Sequence, residues 1–349
     1  MGSLNCCFRK CYTFQMETTA KHLDFLAIGD ITTDVFIRLS DAEVNCDENN
    51  ENCKLSLRFG DKIPYESAEE IRAVGNSANA SVCAARLSLS SALLSAVGGD
   101  DNGLACIAEL RRNNVSTEYV SVEPGKRTNY HYVLWYDVDR TILVKQEAFT
   151  YSLQNVAKPK WIYLSSVGEK VSSFYTEIAE YLKENPEVKL AFQPSTFQIK
   201  LGIQNLSEIY KHTEVFICNV EEARIILNNK ETHNLAELLH GIAKLGPKLV
   251  VITNGYAGAY AYEPKPQVAW FMPIYPHTPI ERTGAGDAYA STLVSSLAMG
   301  KSLKESLQWA GINAMSVTQY VGAQKGLLSQ DKIEEYLEKA PVDYEPRRL

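Results

Sequence analysis

The sequence predicts an α/β fold: a doubly wound, mostly parallel sheet flanked by helices, with a small separate β layer. Three observations predict it. Short apolar runs of strand length recur along the chain, stretches with helical period lie between them, and two further segments alternate apolar and polar residues instead. The buried strands are read at Phe25–Gly29, Ala92–Val97, Trp161–Ser165, Leu190–Gln193, Val215–Cys218 and Leu249–Thr253. Uninterrupted apolar runs of this kind suit strands covered on both faces. Amphipathic helices are read between them at Ala78–Leu87, Gly103–Asn113, Ser173–Glu184, Val220–Leu227 and Leu235–Leu245, and another at Ala288–Met299, stopping at Gly300. The alternating segments are Lys54–Phe59 and Thr128–Val133, the second followed by Trp135 and, beyond a turn at Asp137–Arg140, by Thr141–Lys145. Alternation implies one covered face, so these read as a separate β layer; the Asn- and Glu-rich stretch Asn45–Asn52 before it reads as a solvated loop.

Composition bounds the function. A chain of 349 residues with 45% hydrophobic and 22% charged residues is ordinary for a globular enzyme and long enough for one large domain or two smaller ones. The regular alternation favours one, read as spanning 23–340, with the separate β strands at approximately 38–66 and 127–147, a disordered tail at 1–22 (Met16 being a candidate start) and a short tail at 341–349. A net charge of −7 with no basic stripe argues against nucleic acid as a partner. No run approaches a membrane span, the N-terminus lacks an apolar signal core, and Cys6 stands where a myristoylation pattern needs Ser or Thr. A cytoplasmic protein without a membrane partner is expected. The eight cysteines include no CxxC pair and no zinc spacing, which favours reduced thiols over a Cys46–Cys53 disulfide and makes Cys83 and Cys106 small core residues.

The chemistry concentrates at Glu281-Arg-Thr-Gly-Ala-Gly-Asp287, just where a helix begins. Gly284 and Gly286 let bare backbone approach a ligand, and the first N–H groups of a helix have no partners within it. With the positive end of the helix dipole they form a pocket for an anion such as a transferring phosphate. Asp287 beside that pocket has the chemistry to take a proton from an attacking hydroxyl. A plainer reading gives the carboxylate a helix-stabilising role of ~0.3–1 kcal/mol.

The context decides between these. This segment resembles the second signature of the PfkB (ribokinase-like) family of carbohydrate and nucleoside kinases, and further motifs follow in family order. Ile28-Gly-Asp-Ile-Thr-Thr-Asp34 resembles the first strand and its substrate-binding turn; Gly75-Asn-Ser-Ala-Asn79 is similar to the Gly-rich substrate motif; Val97-Gly-Gly-Asp-Asp-Asn-Gly103 resembles the VGxDxxG turn. Asn219-Val-Glu-Glu222 matches NxxE, Thr253-Asn-Gly255 the TxG strand end, and Asn313-Ala-Met-Ser-Val-Thr with Gly322-Ala-Gln324 the C-terminal helix and loop of the nucleotide pocket.

The resemblance implies a ribokinase-like fold, in which the separate β layer is a small β-strand lid over the sugar site, and an ATP-dependent kinase acting on a hydroxymethyl group. It makes Asp287 the general base and Gly284, Ala285 and Gly286 the anion hole. Asp30, Asp34, Gly75, Asn76 and Asn79 are the implied substrate residues. Thr253, Gly255 and Asn313 would border the nucleotide, and Asn219 and Glu222 would order Mg2+ through water. The last pair also reads as a helix cap, with Asn219 at the N-cap and Glu222 reaching back, and both roles are compatible. An unpaired lid edge suggests a homodimer.

Three departures are visible. Val74 stands where relatives have the first Gly of a pair, Glu281 replaces the Asp that helps shape a monovalent-cation loop, and Gln193-Pro-Ser195 replaces a strand end that often carries Asp and Asn. A free sugar fits Asp30 and Asp34 best. Tyr130, Tyr132 and Trp135, if they stack on a base, raise a nucleoside kinase instead, and Lys54, Arg58, Lys126 and Arg140 near the lid leave a phosphosugar open. A non-catalytic sugar or nucleoside sensor is the reading from another class, although its expected signature, loss of Asp287 or the glycines, is absent.

Overall fold

The computed structural model describes residues 22–47, 53–137, 139–168, 171–229 and 232–349. The proposed N-terminal tail up to residue 21, with Met16 and the first three cysteines, lies outside them, as does part of the loop 45–52. In chain order the strands are β1 Leu23–Ile28, β2 Thr32–Leu39, β3 Glu43–Asn45, β4 Lys54–Ser56, β5 Tyr65–Val74, β6 Ser91–Gly98, β7 Val120–Glu123, β8 Asn129–Tyr136, β9 Asp139–Leu143, β10 Pro159–Leu164, β11 Lys189–Phe192, β12 Thr213–Asn219, β13 Leu249–Thr253, β14 Ala259–Glu263, β15 Val268–Met272 and β16 Arg347–Arg348. The helices are α1 Asn76–Arg86, α2 Asp101–Arg112, α3 Ser172–Glu184, α4 Thr196–Leu201, α5 Ser207–His212, α6 Val220–Ile226, α7 Leu235–Ala243, α8 Ala285–Ala298, α9 Leu303–Val317 and α10 Gln330–Glu338.

Ten strands form the central sheet in the order β16-β15-β14-β13-β12-β11-β10-β1-β6-β7. From β13 to β7 all neighbours are parallel, and the three strands at the other edge are antiparallel. Strand β1 is central because both its faces are apolar. Phe25 and Ala27 enter one core with residues of α1, α2, α8 and α9, while Leu26 and Ile28 enter the opposite core with residues of α3, α5, α6 and α7. Helices therefore cover both faces, and Cys83 and Cys106 are fully buried.

The lid is a separate four-stranded sheet, β5-β2-β8-β9. Its centre is β2, antiparallel to β5 and parallel to β8. The predicted Lys54–Phe59 strand is not part of it: Lys54–Ser56 pairs only with β3 in a two-stranded hairpin. That hairpin also revises the reading of the cysteines. Its last pair, Asn45 and Lys54, brings the flanking Cys46 and Cys53 to a Cα separation of 3.9 Å, and the structure joins them as a disulfide.

Every parallel strand delivers its C-terminal end to the same rim, where open α/β sheets bind ligands. Asp30 follows β1, Gln193 follows β11, Asn219 ends β12 and Thr253 ends β13. The turn after β6 is structural: Asp100 caps α2 through Gly103 N (2.9 Å) and accepts from Thr128 N (3.1 Å), tying the sheet to the root of the lid.

Candidate active site

Two cavities lie side by side on this rim. The larger, about 830 Å3, is roofed by the lid and has Asp30, Asp34, Asn76, Asn79, Gln193 and Asp287 among its lining residues. The smaller, about 280 Å3, is mainly apolar and lies between the β13–β14 turn, β15 and the helices α8 and α9. Thr253, Gly255, Arg282 and Gly286 line both. The start of α8 thus sits at their junction.

Gly284 makes that start possible. It occupies the N-cap with φ 82°, in the left-handed region, and a Cβ there would lie 2.3 Å from that of Ala323. Ala285, Gly286 and Asp287 then form the first turn, whose leading N–H groups have no acceptors within the helix. Gly286 itself faces open space.

Asp287 is held by three side-chain amides. Asn76 Nδ2 donates to Oδ1 at 2.7 Å, Asn79 Nδ2 to Oδ2 at 2.8 Å and Gln193 Nε2 to Oδ1 at 3.1 Å. The amides are oriented in turn: Gln324 Nε2 donates to Asn79 Oδ1 (2.9 Å) and to Ala73 O (2.7 Å), and Tyr163 Oη donates to Gln193 Oε1. Each bond to a charged acceptor favours the ionised form, typically by ~1.5–3 kcal/mol. Burial outweighs them and holds the Asp287 carboxyl above its usual range, with the amides and Arg140 pulling it back down. The result is a carboxylate surrounded by donors, with lone pairs left for an incoming hydroxyl.

Asp30 is buried and accepts from Tyr151 Oη and Gln146 Nε2. Burial pushes its carboxyl up to about 7 despite both bonds and the nearby His131. This has a consequence for stability. A carboxyl raised in the fold contributes stability that is complete below its unfolded value near 3.8 and is lost as pH rises through about 7. The difference between those limits is roughly 4 kcal/mol. Asp30→Asn should therefore flatten the fall in melting temperature between pH 4 and pH 8; an unchanged slope would remove Asp30 as its source.

Asp34 lies on β2, with His131 Nδ1 3.4 Å from its Oδ1. Gly75 caps α1 with φ 110°, and a side chain there would press on Asp30 O at 2.9 Å. Asn219 and Glu222 form a reciprocal cap, each accepting from the other's backbone N–H at 2.8 Å, and both line the larger cleft. Burial, with Asp287 nearby, raises the Glu222 carboxyl. Thr253 and Gly255 lie between the cavities.

Asn313 is elsewhere. It is fully buried between helices, where its Nδ2 donates to Thr292 Oγ1 at 2.7 Å and its Oδ1 accepts from Leu328 N at 2.9 Å. The pocket-facing residues of α9 are Gly311, Ala314 and Met315, on another side of the helix. The lid aromatics also miss the cleft. Asn129 and His131 line it, so Tyr130 and Tyr132 alternate to the other face of β8, and Trp135 is buried beneath Arg38 at 4.7 Å. Sequence reasoning missed Tyr151, Gln146 and Gln324 as supports, and His131 and Arg282 as lining residues.

A family model for pfkB family carbohydrate kinases matches residues 39–330. The chain belongs to this family. It is 24% identical over 270 residues to ribokinase of Bacillus subtilis (strain 168), covering 75% of this chain and 87% of that protein. It is 26% identical over 298 residues to fructokinase of Vibrio alginolyticus, covering 78% and 94%. The fold matches that of Arabidopsis thaliana ribokinase complexed with ribose and ATP, with a TM-score of 0.75 at 18% identity over 91% of this chain and 99% of that one. The protein is thus a phosphotransferase with an alcohol group as acceptor, built on the ribokinase fold. Among the described residues, no helix of the kinase is long and apolar enough to cross a membrane.

Proposed function

We propose that this kinase transfers the γ-phosphate of ATP to a hydroxymethyl group of a small sugar-like acceptor. One observation carries the reading: Asp287, ringed by N–H donors, lies at a helix N-terminus that borders both cavities. The acceptor occupies the larger cleft and the nucleotide base the smaller, apolar one. Asp287 takes the hydroxyl proton as the acceptor oxygen bonds to phosphorus and the bond from phosphorus to the β–γ bridging oxygen breaks. The proton is left on Asp287, and ADP leaves. The backbone of Gly284, Ala285 and Gly286 faces the charge that builds on the phosphoryl oxygens, where one donor can be worth ~3–4 kcal/mol.

Mg2+ suits Asn219 and Glu222. The cap uses one carboxylate oxygen of Glu222, leaving the other for a water on a metal that binds mainly through phosphates and its own waters. When bound, it neutralises phosphate charge. A monovalent cation fits Glu281, which is buried with Oε2 lacking a hydrogen-bond partner while Oε1 accepts from Thr283 N at 2.7 Å.

A sugar is favoured over a nucleoside because the three lid aromatics lie off the cleft. Arg140 Nε and His131 Nε2, both buried without partners, belong to residues that line it; the first calls for an acceptor oxygen and the second, with Nδ1 turned to Asp34, for a hydroxyl. The test is ADP release with Mg-ATP, screened against free sugars, sugar acids, sugar phosphates and nucleosides. Turnover with a sugar or sugar derivative is expected; turnover confined to nucleosides, or tight ligand binding without turnover, would overturn it.

A further inference from the structure

Arg282 is the only Lys or Arg lining the nucleotide pocket among the described residues, and it also lines the acceptor cleft. Its position is set from two sides. Its carbonyl accepts from Ala285 N (3.3 Å) in the turn that starts α8, and its guanidinium lies over the Tyr256 ring, 4.7 Å from the centroid, with Nη2 donating to Tyr256 Oη at 2.6 Å. Its Nε, in contrast, is buried with no acceptor. A buried donor left unpaired is costly, and here it belongs to a side chain shared by two ligand cavities. The surroundings are acidic: Glu221, Glu222 and Asp287 line the same cleft. A triphosphate entering there meets carboxylates, and the Arg282 guanidinium offsets them at the point where the cavities join.

We propose that Arg282 is a catalytic residue that binds the phosphoryl group in transit, and that Tyr256 is the positioning residue that aims it. This rests on the assignment of the two cavities made above. As the bond to the bridging oxygen breaks and the bond to the acceptor oxygen forms, charge shifts on the phosphoryl and bridging oxygens. The guanidinium meets that charge from the side of the nucleotide pocket, while the Gly284–Gly286 backbone meets it from the helix. Surface stacking of Arg282 on Tyr256 is the plain alternative, and it requires neither the shared lining nor the unpaired Nε.

The experiment compares wild type with Arg282→Met, Arg282→Lys, Arg282→Ala and Tyr256→Phe, after melting temperatures establish that each is folded. Turnover, ADP affinity and affinity for ADP with aluminium fluoride, a mimic of the phosphoryl group in flight, are measured with Mg2+ present. Arg282→Met is expected to lower kcat by about 10^2–10^3-fold with the acceptor KM little changed. It should weaken ADP with aluminium fluoride by a comparable factor and leave ADP alone within about threefold, since an effect confined to the transition state appears in kcat. Added guanidinium should partly restore Arg282→Ala, Arg282→Lys should retain partial turnover, and Tyr256→Phe should lose about tenfold in kcat. A wild type that turns over while Arg282→Met is as fast, or loses ADP and the fluoride complex equally, overturns this proposal alone. A wild type that binds neither nucleotide species overturns the cavity assignment and this proposal with it.

Discussion

Asp287→Asn should lower kcat by about 10^2–10^4-fold, the range typical of a lost general base, while ATP and acceptor still bind within about threefold. The replacement is nearly isosteric, and the surroundings hold it in one orientation. Its Oδ1 keeps the bonds from Asn76 and Gln193, but its Nδ2 then faces the Nδ2 of Asn79. Asn79 cannot flip to relieve this without breaking its bond from Gln324. The site therefore stays assembled except at one donor–donor contact, and what disappears is proton acceptance. The pH profile follows from the same group. As the proposed general base Asp287 must be ionised to act, and burial holds its carboxyl above the usual range, so wild-type kcat should fall on acidification at a higher pH than an ordinary aspartate would give. Steady-state kinetics with calorimetric ATP binding check both parts. A variant within tenfold of wild type would show that Asp287 only organises the amides around it.

The doubly wound sheet was legible because its signal is local. Runs such as Phe25–Ile28 and Leu249–Thr253 are apolar on both faces and sit between helices of clear period, and the observed elements fall within a few residues of those predicted. The lid was less legible. Its β5, Tyr65–Val74, is exposed along most of its length and carries no apolar alternation, since its place is fixed by backbone pairing with β2. Lys54–Phe59 does alternate, yet it forms only a short hairpin with β3, because alternation reports a covered face and not which strand covers it. The terminal strand β16, pairing with β15 through two residues, has no pattern to read at all.

The candidate site divides in the same way. Residues within short motifs at strand ends gather where the motifs imply, because the fold brings all those ends to one rim. Asn313 fails because a motif read as a block ignores helix phase: Gly311, Ala314, Met315 and Thr318 border the pocket, and Asn313 turns inward to Thr292. Gln193 was visible only as a departure, and its purpose becomes clear from its bond to Asp287. Tyr151 and Gln146 reach Asp30 from 121 and 116 residues away, beyond any local pattern.

The two glycines of the proposed anion hole should respond to alanine in opposite ways, and the contrast separates folding from chemistry. Gly284→Ala forces a side chain into the left-handed region, at a cost of roughly 1–2 kcal/mol. It also drives Cβ against Ala323, with Cβ and Cα at 2.3 and 2.5 Å. Backbone on both sides must yield, so the first turn of α8 shifts as a unit. A lowered melting temperature and a loss of about 10^2–10^3-fold in kcat are expected together, the second because displaced N–H donors no longer face the phosphoryl oxygens. Gly286→Ala meets no atom within 4 Å and lies inside the helix at an ordinary φ. There the missing methyl only adds backbone freedom to the unfolded chain, so alanine should leave the fold as stable or stabilise it by about 0.5–1 kcal/mol. Its methyl would nevertheless project into the space between the two cavities, and turnover should fall at unchanged or higher melting temperature. Paired thermal melts and kinetics decide the matter. If Gly286→Ala is both stable and fully active, the approach of a phosphate does not need bare backbone at that position; if Gly284→Ala keeps its activity while losing stability, the anion hole lies downstream of Gly284, on Ala285, Gly286 and Asp287 alone.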